Sequence, residues 1–188
     1  MYELHLNRLF DLAVTAVASV VLSPVLGAAA IGIHLEDRGP VLFRQVRVGK
    51  NGNTFVVYKF RTMPVDTDAM PSAMAPGLKV TRAGAILRRL SLDELPQLIN
   101  VLRGEMSIVG PRPALASQGE LCSLRRGSPA FRCLPGMTGL AQVNSYDGMP
   151  DFEKVKWDVQ YAERVSFSSD VRILARTLAY LRKRPPVY

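Results

Sequence analysis

Length, composition and charge exclude several classes of protein before any motif is considered. The 188 residues suit one compact domain with a small appendage. The formal net charge of +8 requires an anionic partner, which could be a nucleic acid, an anionic membrane surface or a phosphorylated substrate. Cys122 and Cys133 are the only thiols and have no CxxC spacing, so neither a disulfide framework nor a zinc site is predicted. A reducing compartment is therefore expected.

The first long feature is an uncharged run of 22 residues, Leu12 to Ile33. It exceeds the threshold of about 18 residues for a membrane-helix candidate. Pro24 breaks the run, because it has no backbone N–H and its ring crowds the carbonyl of Val20, which the Ser23 hydroxyl can satisfy instead. These residues leave open a kinked membrane span and a hairpin that enters and leaves the bilayer on one face. Four basic residues after the run place that side in the cytoplasm: Arg38, Arg44, Arg47 and Lys50.

A β-hairpin is predicted within residues 39–63, where apolar side chains alternate with basic or polar ones. Asn51-Gly52 separates the two runs, and this dipeptide is a strong hairpin signal. Arg44 and Arg47 are expected on the exposed face of the first strand. A basic face of this kind is either solvated or in contact with an anion.

After the hairpin, residues 64–77 have no periodicity and predict a loop. Two amphipathic helices with basic faces follow, a pattern that suits a domain lying on an anionic membrane surface and is also shared by soluble helices. The last third predicts further helices, with Trp157 and Tyr161 in the core, and residues 182–188 form a basic tail. The two apolar stripes consist of Ile86, Leu87 and Leu90, and of Leu95, Leu98, Ile99 and Leu102.

The second stripe begins in the stretch SLDELPQL, which places two adjacent carboxylates among apolar and basic residues. Ser91 and Glu94 fit the capping-box pattern, and Asp93 and Glu94 suit the positive end of a helix dipole. Helix capping is the simpler interpretation of this stretch alone, and catalysis is the alternative. Downstream, the turn-rich residues 109–113 offer backbone N–H groups and Arg112 to a ligand.

A series of short motifs follows in order along almost the whole chain: Arg8, Phe10-Asp11, Ser23-Pro24, Gly39-Pro40, Phe43-Arg-Gln45, Lys59-Phe-Arg-Thr-Met63, Leu87-Arg88, Ser91-Leu-Asp-Glu-Leu-Pro-Gln97, Asn100-Val101, Met106-Ser107, Val109-Gly-Pro-Arg-Pro113, Pro135-Gly136, Thr138-Gly139 and Gln142. This set resembles the bacterial sugar-transferase family, the monotopic polyprenyl-phosphate phosphoglycosyl transferases. The length matches the minimal members of that family, which include the enzymes that initiate N-linked glycan assembly.

The resemblance implies an α+β fold that is mostly helical, with an N-terminal re-entrant membrane helix-break-helix, a small β-hairpin and amphipathic helices lying on the membrane face. Residues 1–36 would form the re-entrant hairpin, with its break at Ser23 and Pro24, and residues 37–188 the cytoplasmic catalytic domain. The hairpin thus replaces the kinked span as the expected arrangement. The protein would be monotopic, on the cytoplasmic face of the cell inner membrane.

The resemblance also implies the reaction, a ping-pong transfer of a sugar phosphate from a UDP-sugar to a polyprenyl phosphate, with Mg²⁺ and release of UMP. The minimal relatives suggest UDP-N,N′-diacetylbacillosamine as the donor and undecaprenyl phosphate as the acceptor. Expected partners are therefore both substrates and membrane lipid, and no nucleic acid. Carboxylates can form acyl-phosphate intermediates, and Mg²⁺ and Arg can neutralise a transferring phosphoryl group.

By position in the family motifs, Asp93 is the nucleophile, and Glu94 places Mg²⁺ or handles the acceptor's proton, so both carboxylates are expected metal ligands. Arg112 resembles a phosphate clamp. Further substrate or phosphate contacts are expected from Lys59, Arg61, Arg88 and Gln142.

The chain departs from the family pattern after Asn144, where Ser145-Tyr146 stands in place of the usual Gly-Arg. Three alternatives to the implied function remain: a non-catalytic basic membrane adaptor, a nucleic-acid binder suggested by charge alone, and a glycosyl transferase that moves the sugar without its phosphate.

Overall fold

The computed structural model describes residues 2–65, 80–146 and 148–182. Most of the predicted loop at 64–77 and of the basic tail at 182–188 lies outside these residues. The strands are β1 (Leu42–Val48), β2 (Thr54–Phe60), β3 (Ser107–Val109) and β4 (Gly136–Thr138). The α-helices are α1 (Tyr2–Val21), α2 (Ser23–Asp37), α3 (Arg82–Arg89), α4 (Leu98–Arg103), α5 (Gly119–Arg126), α6 (Leu140–Val143), α7 (Asp151–Ala162) and α8 (Phe167–Arg182).

The predicted mostly helical α+β fold and its hairpin are confirmed. β1 and β2 pair antiparallel, with Leu42 opposite Phe60 and Val48 opposite Thr54. The turn is longer than a two-residue loop and includes the short 3₁₀ helix Lys50–Gly52, in which Asn51 has a φ of 57°. A second pair, β3 with β4, is parallel and was not predicted. This pair joins segments that are far apart in the sequence, so no local sequence pattern predicts it.

The prediction that Arg47 is exposed was wrong. Strand alternation places Arg44 and Val46 on the exposed face and Arg47 on the opposite one, where the segment after β3 covers it. Arg47 Nη1 donates to the Pro113 carbonyl at 3.2 Å, and the neighbouring Val48 N–H donates to the Ala114 carbonyl at 2.9 Å. The hairpin is thereby attached to the segment that carries Arg112.

The main core lies between β2, α4, β3 and the C-terminal helices. Val101 and Met106 are fully buried at its centre, and Tyr161 joins it as expected from the sequence. Tyr161 also donates its hydroxyl to the Val109 carbonyl at 3.1 Å, so α7 fixes the end of β3. Because the loop with Arg112 begins at that end, the core determines where the loop starts.

The predicted break at Ser23 and Pro24 is present between α1 and α2. The Ser23 hydroxyl donates to the Val20 carbonyl at 2.8 Å, which gives a partner to the acceptor that Pro24 cannot serve. The two segments Asn7–Val21 and Ser23–Asp37 are bent by 61°. Among the described helices, none by itself is long and apolar enough to cross a membrane, whereas this bent pair meets that criterion together.

Helix α3 is held between α2 and the end of β2. The Glu36 carboxylate accepts the backbone N–H groups of Arg82 and Ala83 at 2.6 and 2.8 Å, at the start of α3. Gly84 lies against Thr62: a Cβ built on it would come to 2.6 Å from the Thr62 Cα and 2.7 Å from its carbonyl carbon. Only glycine allows this approach, which brings Arg88 on the same helix toward β2.

The predicted amphipathic stripes are divided between core and surface. Leu87 and Leu98 are buried, at 5% and 6% exposure. Ile86, Leu90 and Leu102 remain exposed at 60%, 56% and 49%. Part of each stripe therefore faces outward, as in a helix that packs on the domain from one side and offers apolar side chains on another.

We expect Gly84→Ala to lower the free energy of unfolding by about 3 kcal/mol, because the new methyl group meets backbone atoms that no rotamer change can move. Gly119→Ala is the matched control, since a Cβ at Gly119 meets nothing within 4 Å. It should leave stability unchanged or raise it by less than about 1 kcal/mol. Unfolding of the purified full chain would measure both, and equal effects of the two substitutions would contradict the packing of α3 described above.

Candidate active site

The two carboxylates of SLDELPQL lie on a short 3₁₀ helix, Leu92–Gln97, that precedes α4. Pro96 within it cannot donate the backbone hydrogen bond that an α-helix would need there. Ser91 has a left-handed φ of 54° and makes no side-chain capping bond, so the predicted capping box was wrong. Glu94 is instead directed to two cations from other parts of the chain.

Glu94 is the centre of the ionic contacts. Its Oε1 accepts from Lys59 Nζ at 2.7 Å and from Arg112 Nη2 at 2.8 Å. Burial alone would raise the pKa of Glu94, but Arg112 and Lys59 outweigh it and hold the pKa well below its usual range. Burial also lowers the pKa of Lys59, against the attraction of Glu94. The three predicted site residues are therefore brought together as one ionic group.

Asp93 lies beside this group in a different electrostatic state. Burial raises the pKa of Asp93, the negative charge of Glu94 raises it further, and Lys59 and Arg88 act in the opposite direction. A carboxylate in this environment gains from a bond or contact that disperses its charge. Asp93 is thus a more basic carboxylate than a solvated aspartate.

Of the other predicted contacts, Arg88 is brought to the site and Arg61 is not. Arg88 Nε donates to the Thr62 hydroxyl at 2.9 Å, and its charge acts on Asp93. Arg61 forms an ion pair with Asp37 and is only 8% exposed. Its guanidinium therefore links β2 to the end of α2 rather than facing the two carboxylates.

Gln142 lies on α6, beside Gly139, and both polar atoms of its amide are buried with no hydrogen-bond partner among the described residues. The Gly139 backbone in turn lies against the Gly110 carbonyl. Gln142 therefore lies next to Gly139, whose backbone contacts the segment that leads to Arg112. Its predicted contact with substrate stays a prediction.

Arg47, which the sequence analysis placed on the exposed face of the first strand, lies near the ionic group. Burial and the nearby charge of Arg112 lower the pKa of Arg47 to about 10, and Glu94 opposes this shift. Arg47 thus lies within electrostatic range of both Arg112 and Glu94. Strand alternation puts Arg47 on the same face as Phe43 and Gln45, and this alternation is the sequence signal that could have identified it. In the structure, Arg47 Nη2 donates to Gln45 Oε1 at 2.6 Å.

The position of Arg112 depends on a buried ion pair below it. Arg125 Nη1 donates to the Arg112 carbonyl at 2.7 Å, while its Nε and Nη2 donate to Asp158 at 3.0 and 2.6 Å. Asp158 is 1% exposed, and burial raises its pKa even though Arg125 opposes the rise. Helices α5 and α7 therefore hold the backbone from which Arg112 reaches Glu94.

A divalent cation fits this donor set. Among the described residues there is no cluster of three or more His, Cys, Asp or Glu that could hold a metal ion. Mg²⁺, however, is commonly bound by one or two carboxylates together with substrate phosphates. Asp93 and Glu94 provide two such carboxylates, and the burial that disfavours a charged Asp93 would be relieved by a cation.

The segment that departs from the family pattern folds back on itself. The Ser145 hydroxyl donates to the Gln142 carbonyl at 2.8 Å, and the Tyr146 hydroxyl donates to Glu153 at 2.6 Å. Arg176 from α8 donates to the Asn144 side chain at 2.7 Å. A guanidinium is therefore present next to Asn144, although it comes from a distant helix.

We expect Asp158→Asn to lower the free energy of unfolding by about 3 kcal/mol, because it leaves the buried Arg125 without a counter-charge. Asp151→Asn is the matched control: Asp151 pairs with Lys154 on the surface, and its loss should cost less than about 1 kcal/mol. Chemical denaturation of the two variants would measure the difference. Similar values for both would show that the Arg125–Asp158 pair does not support the loop.

Comparison of the sequence with known proteins assigns the chain to a family. A model of the bacterial sugar transferase family matches residues 2–184. The UDP-glucose:undecaprenyl-phosphate glucose-1-phosphate transferase of Caulobacter vibrioides is 40% identical over 184 residues, which is 93% of this chain and 69% of that protein. The exopolysaccharide production protein PSS of Rhizobium leguminosarum is 40% identical over 191 residues, 94% of each chain. The uncharacterized sugar transferase EpsL of Bacillus subtilis is 37% identical over 173 residues, 92% of this chain and 85% of that protein.

The family result decides between the catalytic and non-catalytic interpretations of the sequence. A basic membrane adaptor without activity is set aside, because the chain belongs to the bacterial sugar transferase family and is a transferase.

Proposed function

We propose that this enzyme transfers a sugar phosphate from a UDP-sugar to a polyprenyl phosphate and releases UMP. The observation that carries the proposal is the pair of unlike carboxylates, a more basic Asp93 beside a Glu94 held ionised by Lys59 and Arg112. The name of the Caulobacter vibrioides relative supports the same substrate classes. A reaction between two phosphorylated substrates also accounts for the positive charge of the chain.

The charge balance of the site favours a polyanionic ligand. Two carboxylates face four cationic side chains that act on them: Lys59, Arg88, Arg112 and Arg47. The surplus of two positive charges suits the diphosphate of a nucleotide sugar, because partly buried cations bind phosphate oxygens more strongly than exposed ones do.

In the first half of the reaction, an Asp93 carboxylate oxygen attacks the phosphorus next to the sugar. A new P–O bond forms, the bond from that phosphorus to the bridging oxygen breaks, and the electron pair leaves with UMP. Arg112 and Lys59 stabilise the charge that develops on the phosphate oxygens. The product on the protein is an aspartyl phosphosugar.

In the second half, an oxygen of the polyprenyl phosphate attacks the same phosphorus, and the bond to Asp93 breaks with return of its carboxylate. Arg88, on the α3 side of Asp93, binds the acceptor phosphate, whereas the lowered pKa of Glu94 makes that carboxylate a poor acceptor for any proton the acceptor still carries. Asp93 and Glu94 would be the carboxylates that hold Mg²⁺, which would supply additional charge neutralisation when bound.

The bent pair α1 and α2 is proposed as a re-entrant membrane hairpin at the cytoplasmic face of the inner membrane. Each arm of the uncharged run is about 15–18 Å long at 1.5 Å per residue, which reaches roughly the middle of a bilayer. Val20 and Val21 near the break are 74% and 66% exposed, and Ile31 is 61% exposed. Apolar side chains exposed on both arms suit lipid rather than water.

Replacement of Asp93 tests the chemistry directly. We expect Asp93→Asn to abolish turnover and the phosphosugar adduct, because the amide is a far weaker nucleophile, while the protein remains folded. Asp151→Asn removes a surface carboxylate and should keep wild-type activity. Mass spectrometry of the protein with UDP-glucose or UDP-N,N′-diacetylbacillosamine would detect the adduct and identify the donor sugar, and chromatography would identify the nucleotide. Release of UDP, or near-normal turnover by Asp93→Asn, would contradict the mechanism.

Terminal tags test the membrane arrangement. In a re-entrant hairpin, a cleavable tag before Met1 and one after Tyr188 lie on the same side of the membrane. We therefore expect protease to remove both tags from inside-out vesicles and neither from right-side-out vesicles, as measured by immunoblotting. The C-terminal tag reports the side of the catalytic residues. Cleavage of the two tags from opposite sides would establish a spanning helix instead.

A further inference from the structure

Asn100 on α4 is fully buried, and its side-chain amide makes three hydrogen bonds. Its Nδ2 donates to the Val56 carbonyl at 2.6 Å and to Glu105 Oε2 at 2.7 Å. Its Oδ1 accepts the Tyr58 backbone N–H at 3.2 Å. Both amide hydrogens and the amide oxygen therefore have partners. A buried amide satisfied in this way holds its neighbours in one arrangement.

The amide takes the place of a third strand beside the hairpin. Among the residues that the structure describes, this sheet consists of β1 and β2 alone, so the outer edge of β2 has backbone groups that no strand pairs. Val56 and Tyr58 are two residues apart, so the Val56 carbonyl and the Tyr58 N–H point to the same edge. The amide of Asn100 offers both a donor and an acceptor, and it pairs with both groups. Helix α4 is thereby attached to one position along β2.

Glu105 determines which way round the amide lies. It follows Gly104, which ends α4 with a left-handed φ of 79°, and its backbone N–H donates to the Asn100 carbonyl at 3.0 Å. The Glu105 carboxylate and the Val56 carbonyl are both acceptors, so only the NH₂ group of Asn100 can face them. The amide oxygen is therefore left for the N–H of Tyr58.

The two elements that Asn100 joins carry the partners of an ion pair in the candidate site. Lys59 follows Tyr58 on β2, and its Nζ donates to Glu94 Oε1 at 2.7 Å. Glu94 lies on the 3₁₀ helix Leu92–Gln97, which continues directly into α4 at Leu98. The register that Asn100 fixes between β2 and α4 therefore also sets where Lys59 meets Glu94.

We propose that Asn100 is a positioning residue for the transfer reaction: its amide fixes β2 against α4 and so places Lys59 beside the transferring phosphate. This proposal rests on the proposed function, which gives Lys59 the task of stabilising charge on that phosphate. Asn100 acts through Lys59, because its amide is buried and has no donor left for a ligand. Misplacement of a catalytic group by about 1 Å is enough to lower a rate about tenfold or more.

A double-mutant cycle with Lys59 tests this role. We expect Asn100→Ser, whose shorter hydroxyl can serve at most one of the two β2 groups, to lower turnover about tenfold or more. In a Lys59→Met background the same substitution should change turnover less than about twofold, because the group that Asn100 places is already absent. The shift in the midpoint of chemical denaturation should be the same in both backgrounds. Turnover is measured as transfer of labelled sugar to undecaprenyl phosphate by the full chain.

A merely structural role would lower turnover by the same factor in both backgrounds, and that result would overturn the proposal, as would wild-type turnover of Asn100→Ser. If Asn100→Ser does not fold, Glu105→Ala decides the question. It frees one amide hydrogen of Asn100 and should lower turnover about threefold, but only where Lys59 is present. An equal loss with Lys59→Met would contradict the proposed role.

Tyr58→Phe is the matched control. It removes another contact between α4 and β2, the bond that Arg103 Nη1 donates to the Tyr58 hydroxyl at 2.7 Å, and keeps the backbone N–H that Asn100 accepts. Turnover should stay within about twofold of wild type. A loss as large as that of Asn100→Ser would show that the amide has no special role.

Acetylation of Lys59 gives a readout that needs no turnover. The Lys59 side chain is 19% exposed and bound to Glu94, so it should react slowly with acetic anhydride. We expect Asn100→Ser to speed its acetylation several-fold relative to Lys154, as measured by peptide mass spectrometry. Ile173→Ala, which removes apolar contacts from the same core and leaves the amide intact, should not. Unchanged reactivity of Lys59 in Asn100→Ser would overturn the proposal.

These results are separate from the test of the proposed function. If the enzyme released UDP and formed no adduct, the transfer mechanism would fail, yet coupling between Asn100 and Lys59 would still support the positioning role. If UMP and the adduct formed while no coupling was found, the positioning role alone would fail.

Discussion

The ion pairs of Glu94 with Lys59 and Arg112 are the interaction on which the site depends, because they join three segments that are distant in the sequence. Lys59 comes from β2, Glu94 from the 3₁₀ helix before α4, and Arg112 from the loop after β3. Each segment is fixed independently: β2 by the hairpin, the loop by Arg125 and Tyr161. The carboxylate therefore meets two cations whose positions are set elsewhere, which is the preorganisation that phosphoryl transfer requires.

The same interaction explains why two adjacent carboxylates can have different roles. Glu94 takes the counter-charge of Lys59 and Arg112, so its pKa falls. Asp93 is left with burial and the negative charge of its neighbour, so its pKa rises. The difference arises from which cations each side chain reaches. One carboxylate therefore organises the cations, and the other retains the basicity that the proposed nucleophile needs.

Local sequence signals predicted the features that depend on local physics. The Ser23-Pro24 break and the hairpin around Asn51-Gly52 follow from a missing N–H and a turn dipeptide. That the acidic pair and Arg112 serve one site was implied only by the family resemblance. The predicted capping box was wrong because Ser91 makes no capping bond and Glu94 contacts Lys59 and Arg112 instead.

The features that were missed in the site are those formed between distant segments. Arg47 was assigned to solvent because its cover, Pro113, lies 66 residues away. The Arg125–Asp158 pair joins residues that are 33 apart, on two helices whose packing no periodicity encodes. Burial of a charged side chain is decided by what packs over it, and that information is spread along the chain.

The contacts of α2 connect the bent helix pair α1 and α2 to the proposed catalytic residues. Glu36 caps the start of α3, which carries Arg88, and Asp37 pairs with Arg61 next to Thr62, which accepts from Arg88. Separation of the chain between residues 36 and 37, the predicted boundary, would divide the Glu36 cap of α3 from the Asp37–Arg61 ion pair beside Thr62. The end of the proposed membrane hairpin therefore helps to set the distance between Arg88 and Asp93, so the geometry that orients the hairpin also orients the side of the site at which a lipid phosphate is expected.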